Sequence, residues 1–240
     1  MSHRRYFLIL SILFLVEFLL LAVRPYDRAD WALENVLVVV FVFILAASYR
    51  RFVLSRLSYT LIFIFMCLHQ VGAHYTYSRV PYDAFLMQQF DFSLNEAMNW
   101  SRNHFDRLVH FLFGLLIAYP IREVYVRLAY GRGFWGYFFP LLFTIAASMI
   151  FELFEWAAAE TFGGDLGMAY LGTQGDEWDS HKDSLLASIG ALIAMLITIA
   201  LNMALQKDFV AEWKSSLRIK GKRPLGEDEI ARLLEERNKN

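Results

Sequence analysis

Six stretches of this chain are long and apolar enough to cross a lipid bilayer as helices, and this constrains its fold more than any other feature. A helix rises ~1.5 Å per residue and the hydrocarbon core is ~30 Å thick, so about 20 apolar residues suffice. Residues 6–23, 31–49, 57–75, 105–121, 134–159 and 184–205 qualify. Each is apolar on nearly all faces, whereas a helix at the surface of a soluble core would carry one apolar stripe. Lipid offers no partner for backbone N–H and C=O groups, so spans of this length fold as helices. The expected fold class is all-α: a polytopic membrane protein, a six-transmembrane-helix bundle.

Composition agrees once it is divided along the chain. Hydrophobic residues make up 57% of the 240 and charged residues 20%, but residues 206–240 concentrate nine Lys/Arg and seven Asp/Glu. The expected organisation is a membrane domain over 1–205 and a charged cytoplasmic tail over 206–240. Disorder is excluded, because it needs low hydrophobicity. A net charge of −1 gives no basic surplus for nucleic acid. One cysteine, Cys67, excludes a disulfide framework. The first span follows Arg4 and Arg5 as a signal peptide would, yet its exit, Leu21-Ala22-Val23-Arg24-Pro25, has no small-x-small cleavage site. It reads as an uncleaved helix.

Lys and Arg favour the cytoplasmic side of a membrane. With the N-terminus inside, the inner segments hold Arg4, Arg5, Arg50, Arg51, Arg56, Arg122, Arg127, Arg132 and the nine tail residues. The outer face keeps only Arg24, Arg28, Arg79, Arg102, Arg107 and Lys182. Both termini are therefore expected in the cytoplasm. Two outer loops, 76–104 and 160–183, are long, and long loops in compact proteins tend to be functional. The second contains Gly163-Gly164-Asp165 and Gly172-Thr173-Gln174-Gly175-Asp176, which read as tight turns.

Charged side chains at membrane depth are costly and mark functional positions. The third span carries His69, Gln70 and His74 near its outer end. The fourth opens with Asp106 and His110, the fifth holds Glu152 and Glu155 in its outer third, and the sixth follows Asp179 and Asp183. Several are three or four residues apart, so they share a helix face. The inner halves offer hydroxyls (Thr60, Thr144, Ser148) and the amide Asn202 instead. Counting Glu17, 16 of the 24 carboxylates fall on the outer side. Carboxylates so close would repel and take up protons, a conflict that a cation resolves. Mixed His/Asp/Glu sets suit Zn, Mn, Fe or Ca. The expected ligands are His74, Asp106, His110, Glu152, Glu155 and Asp183. The expected acid, base or metal-holding groups are Asp106, His110, Glu152, Glu155, Asp179 and Asp183. Arg102, Arg107, Lys182 and Gln174 are the expected substrate contacts. The simpler alternatives are a structural knot, in which Glu152 and Glu155 pair with Arg102, Arg107 or Lys182, and interfacial packing for His69 and His74. Glu17 is a candidate outlier of the cluster, and His104 a candidate cap for the fourth helix.

Four strings carry a family resemblance: Gly72-Ala73-His74-Tyr75-Thr76-Tyr77; Arg102-Asn103-His104-Phe105-Asp106-Arg107, running on to His110; Glu152-Leu153-Phe154-Glu155-Trp156; and Leu171-Gly172-Thr173-Gln174-Gly175-Asp176-Glu177-Trp178-Asp179. They resemble the YjdF-like family of bacterial inner-membrane proteins over roughly residues 6–205. The fourth to sixth spans also resemble, more distantly, the VanZ-like superfamily, whose proteins are associated with teicoplanin resistance. Here Arg107 replaces the usual Lys of an Asp-Lys-x-x-His start, Glu155 stands where Gln is usual, and Ser188 stands where Asn would follow Asp183. The resemblance implies a multi-pass protein of the cell inner membrane and supplies no reaction.

Three functions compete at this point. The first is a metal-assisted hydrolase or transferase acting on a lipid-linked substrate at the outer leaflet. The second is a non-enzymatic scaffold or ligand-binding regulator. Its tail offers Lys214, Arg218, Lys220, Lys222 and Arg223 to anionic lipid, followed by a short helix opened by Glu227, Asp228 and Glu229 with Ile230, Leu233 and Leu234 on one side. A solvated, frayed tail is the plainer expectation. The third is a proton or cation transporter, which needs polar groups through the whole thickness. The expected partners are membrane lipids, with no nucleic acid.

Overall fold

The computed structural model describes residues 1–219 and 225–239. Within these residues eleven helices follow in order: α1 His3–Leu21, α2 Arg28–Ser48, α3 Arg56–His74, α4 Tyr82–Phe90, α5 Leu94–Ala97, α6 Phe105–Ala129, α7 Trp135–Phe162, α8 Gly164–Leu171, α9 Asp179–Leu205, α10 Phe209–Ser216 and α11 Leu225–Lys239. Among the described residues there is no strand. Five helices (α2, α3, α6, α7 and α9) are long and apolar enough to cross a membrane. The 19-residue α1 is dominated by Leu, Phe and Ile, but any stretch of it long enough to span includes Arg4, Arg5 and Glu17, whereas each of the other five has a span-length stretch with at most two charged residues.

The helix starts follow from local chemistry. Asp27 accepts from the Ala29 and Asp30 amides at 2.8 and 3.0 Å, and Ser55 accepts from the Ser58 amide at 3.1 Å, so both satisfy orphan donors of a first turn. His104 stands at the N-cap of α6 but makes no capping bond with its side chain. Asn103 does this instead, its Oδ1 accepting from the Phe105 amide at 2.9 Å. Helix α6 runs two turns beyond the expected end at residue 121, because helical hydrogen bonding does not stop where the apolar run does. That extension carries Glu123, which accepts from the Ser55 amide (2.8 Å) and the Ser58 hydroxyl (2.6 Å) and pairs with Arg127 (2.9 Å). It thereby ties the α2–α3 turn to α6. The two long loops expected on the outer side are not irregular: α4 and α5 fill one and α8 the other.

Helix α6 is the hub. It packs on α3, α7 and most extensively on α9, while α1 and α2 lie against α3. The α6–α9 contact is made by small residues. On α6, Asp106, His110, Gly114 and Ala118 recur every four residues, and on α9, Asp179, Asp183, Ala187 and Ala191 do the same. A Cβ on Gly114 would collide with the Ala187 carbonyl and lie 2.7 Å from the Ala191 amide. A Cβ on Gly190 would collide with the Phe111 carbonyl and lie 2.8 Å from the Leu115 amide. Ala118, Ala187 and Ala191 are fully buried here. Small residues let transmembrane backbones approach closely, and the two helices run parallel, so their carboxylate-bearing first turns lie side by side.

The beginning of the tail is docked, which corrects the expectation of a frayed segment. Phe209 is buried, with Trp213 packed beside it against Tyr137. Glu212 accepts from the Gly133 amide at 3.1 Å and Ser216 Oγ from the Phe134 amide at 2.9 Å. Aromatic residues spaced by four gave α10 an apolar edge that a tally of tail charge concealed. Helix α11 covers the short helix expected in the tail, and Ile230, Leu233 and Leu234 are exposed on it. Lys220, Lys222 and Arg223 lie outside the described residues, as do the side chains of Glu227 and Asp228.

Candidate metal and acid–base site

The first turns of α6 and α9 and the last third of α7 converge on one polar centre. Asp106, His110 and Asp183 each present a ligand-type atom, and these atoms lie within 4.8 Å of one another. His110 Nε2 is 3.6 Å from Asp106 Oδ1 and 3.4 Å from Glu152 Oε1. His110, Glu152, Glu155 and Asp183 are all buried. Asp183 Oδ1 and Glu152 Oε1 are buried without a hydrogen-bond partner. Burying a charged oxygen without a partner costs several kcal/mol. Asp106 and His110 share a face because they are four residues apart, as are Asp179 and Asp183, whereas Glu152 and Glu155 are three apart.

Above this centre lies a belt of ion pairs. Arg102 reaches Asp179 at 2.8 Å and Asp176 at 3.7 Å. Arg107 contacts Asp176 and lies 3.2 Å from Asp179, and Lys182 Nζ reaches Asp176 at 2.6 Å. Asp176 is held well below the usual carboxylate range by the Lys182 ammonium, the Trp178 amide and Arg107. His104 is lowered by desolvation and by Arg107 and Arg102; its ring stacks on Trp100 at 4.1 Å and its Nδ1 lies 3.3 Å from Arg107 Nη1. Gln174 exchanges two hydrogen bonds with the Asn103 backbone, at 3.1 and 3.0 Å, and the Thr173 carbonyl accepts from Arg102 at 2.7 Å. The turn 172–176 is thus clamped onto the entry to α6, with Gly172 and Gly175 at φ +61° and +86° supplying the left-handed backbone it needs.

Of the residues expected at the site, Asp106, His110, Glu152, Glu155 and Asp183 come together. Asp179 lies one turn above them and is committed to the two arginines. Arg102, Arg107, Lys182 and Gln174 hold the outer belt together, each already paired within the chain. His74 stands apart: its Nδ1 lies 2.7 Å from the Leu21 carbonyl, so it fastens the end of α1. Glu17 faces Cys67.

The sequence reading located α2 but missed its carboxylates. Asp30 and Glu34 lie one turn apart on its inward face, with 1% and 4% of their surface exposed, and neither Asp30 carboxylate oxygen has a hydrogen-bond partner. Glu34 lies 4.0 Å from His69 Nε2, and His69 Nδ1 receives the Tyr77 hydroxyl at 2.5 Å. Burial raises the Tyr77 hydroxyl well above its ordinary value, with Glu34, Asp106 and Glu155 adding to it. Burial also raises Tyr170 of α8, with Glu34, Glu155 and Asp30 adding to it. The α2 carboxylates and the α6–α7 site therefore form one continuous acidic region. The i, i+4 spacing of Asp30 and Glu34 was the available signal, obscured because the expected span begins at residue 31, just after Asp30.

Nearly the whole membrane region, residues 6–203, matches the family described as "Predicted membrane protein (DUF2238)". The chain is 37% identical over 175 residues to "Inner membrane protein YjdF" of Escherichia coli (strain K12), an alignment covering 72% of this chain and 79% of that protein. No solved structure matches.

Proposed function

The chain belongs to the DUF2238, YjdF-like family of membrane proteins, and on that premise we propose that it is an inner-membrane, metal-assisted hydrolase or transferase acting on a lipid-linked substrate at the outer face. One observation carries this reading: three ligand-type side chains, half-buried Asp106 and buried His110 and Asp183, whose ligating atoms lie within 4.8 Å of one another. Ligand–metal bonds of about 2.0–2.5 Å place two ligands on one ion at roughly that separation. Three protein ligands leave a coordination position open, the arrangement of catalytic rather than structural sites. One nitrogen and two carboxylates suit Zn, Mn, Fe or Ca.

A metal so held would activate a water molecule or polarise a substrate oxygen. Glu152, beside His110, and Glu155, one turn on, are the groups of this chain that would take up and return the proton. Asp179 fixes Arg102 and Arg107 above them. Transport is less well supported, because the inner-half polar groups other than Ser148 are satisfied locally. Thr144 donates to the Pro140 carbonyl (2.8 Å), Thr198 to the Ala194 carbonyl (2.7 Å) and Asn202 to the Tyr137 hydroxyl (2.6 Å).

Elemental analysis of the protein purified without chelator tests the reading. Near-stoichiometric metal in the wild type and its loss in Asp183→Ala and in His110→Ala are expected. A metal-free wild type, or full retention in both folded variants, overturns it.

A further inference from the structure

Among the described residues, helices α2 and α7 share no extensive contact. Helix α2 rests on α3 and on α8, and α8 rests on α7, so α8 bridges the two only at the outer end. Below that bridge lies a cavity of about 350 Å³, within the range of sites that hold small molecules. Its floor is α3 and α6. Phe41, Phe65, Phe113, Ile117 and Phe151 make it apolar through most of its length, while His69, Tyr77, Asp106, His110 and Glu155 close its outer end. At its mouth, Val40 and Ile44 are 49% and 53% exposed on a membrane helix, so the cavity opens sideways toward lipid rather than toward water. Partway along it, Ser148 is 2% exposed and its hydroxyl has no partner.

We propose that this crevice is a binding site for one hydrocarbon chain of a membrane lipid, entered laterally between α2 and α7, with the lipid's polar end at Asp106, His110 and Glu155. Three features favour this occupant. Asp106 to Ile117 spans 11 residues of α6, about 16 Å at the rise of a helix, close to the ~15 Å thickness of one hydrocarbon leaflet. The lining changes from apolar to ionisable in the same direction as a lipid in the outer leaflet. The unpartnered Ser148 hydroxyl gives a polar atom of the lipid, such as a linkage oxygen, a place to bond inside an otherwise apolar slot. The inference deepens the reading of the acid–His centre as a site for lipid-linked substrates, and identifies the part of the substrate that is bound apart from the reacting group.

The test places the full chain in nanodiscs of phosphatidylethanolamine and phosphatidylglycerol, a fraction of whose acyl chains carry a mid-chain diazirine. Adducts are mapped by peptide mass spectrometry, and metal content is measured on the same samples. Adducts on Phe113, Ser148 and Phe151 are expected several-fold above those on Phe43 and Leu153, which are 71% and 60% exposed. Ala147→Trp, inside the crevice, and Ile44→Trp, at its mouth, are each expected to reduce the crevice adducts several-fold; Ile44 is exposed enough to tolerate the change should Ala147→Trp fail to fold. Labelling no stronger in the crevice than on Phe43 and Leu153 overturns the proposal, as does cross-linking of the crevice to a second copy of the chain or to another protein. Metal without crevice adducts overturns the lipid slot and leaves the metal reading standing. Crevice adducts without metal do the reverse.

Discussion

Replacing Gly190 by Val tests whether the α6–α9 contact sets the geometry of the site. Even the first added carbon would meet the Phe111 carbonyl and lie 2.8 Å from the Leu115 amide and 3.1 Å from the Phe111 carbonyl carbon. All three neighbours are helix backbone, so no side chain can rotate away. Restoring ordinary contact requires the two helices to separate by roughly an ångström, and overpacking of this kind typically costs about 1–3 kcal/mol. For a chain of this size, each kcal/mol is worth about 2–4 °C in melting temperature, so a fall of several degrees is expected in detergent. Gly190 lies two turns below Asp183, and Asp106 and His110 are on the opposing helix. The separation therefore stretches a ligand set now confined within 4.8 Å, and metal retention falls with stability. Differential scanning fluorimetry and elemental analysis of the same preparation measure both. Gly226→Ala is the control, since its added carbon meets no neighbour within 4 Å. An unchanged melting temperature together with unchanged metal content in Gly190→Val would refute the idea that close backbone contact positions the site.

Two further outcomes follow. Asp176 is stabilised in its charged form by Lys182, the Trp178 amide and Arg107. Because its folded pKa lies below the unfolded value, its contribution is complete above the ordinary carboxylate value of about 3.9 and is lost only as pH falls further. The outer belt is thus expected to stay closed between pH 5 and 8. Asp176→Asn should speed hydrogen exchange in turn 172–176 throughout that range, and a belt in the wild type that opens near pH 6 would contradict the assignment. In the tail, Phe209→Ala should destabilise the protein by about 3 kcal/mol, as expected for a buried aromatic, whereas truncation after residue 224 should leave the melting temperature unchanged. Equal effects of the two changes would show that α10 is not a docked element.

How far the sequence could be read depends on whether a property is local. Helix formation in lipid is dictated segment by segment, because each span must satisfy its own backbone hydrogen bonds; the apolar runs therefore located α2, α3, α6, α7 and α9 without knowledge of their neighbours. The same locality made Asp106/His110, Glu152/Glu155 and Asp179/Asp183 visible as face-sharing pairs. Residues that touch only through packing were not legible. Asp30 lay just before the second expected span and Glu34 inside it, neither assigned to a site until α2 turned them inward, and His74 looked like a ligand until α1 ended beside it. Arg102, Arg107 and Lys182 looked free until the turn at 172–176 folded back over them. Phe209 and Trp213 were hidden in a charged tail.

The sequence alone thus determined that this is an all-helical membrane protein with its ionisable residues gathered near one end of the helices, because burial of apolar length and the cost of charge in lipid act on each segment separately. Tertiary structure decided which of those residues meet. Gly114 and Gly190 bring α6 and α9 into backbone contact, so Asp106, His110 and Asp183 face one another. Helix α8 bridges α2 and α7, beside a crevice that ends at the site. These are distances between helices, set by the volumes of side chains far apart in the chain, and no single segment encodes them.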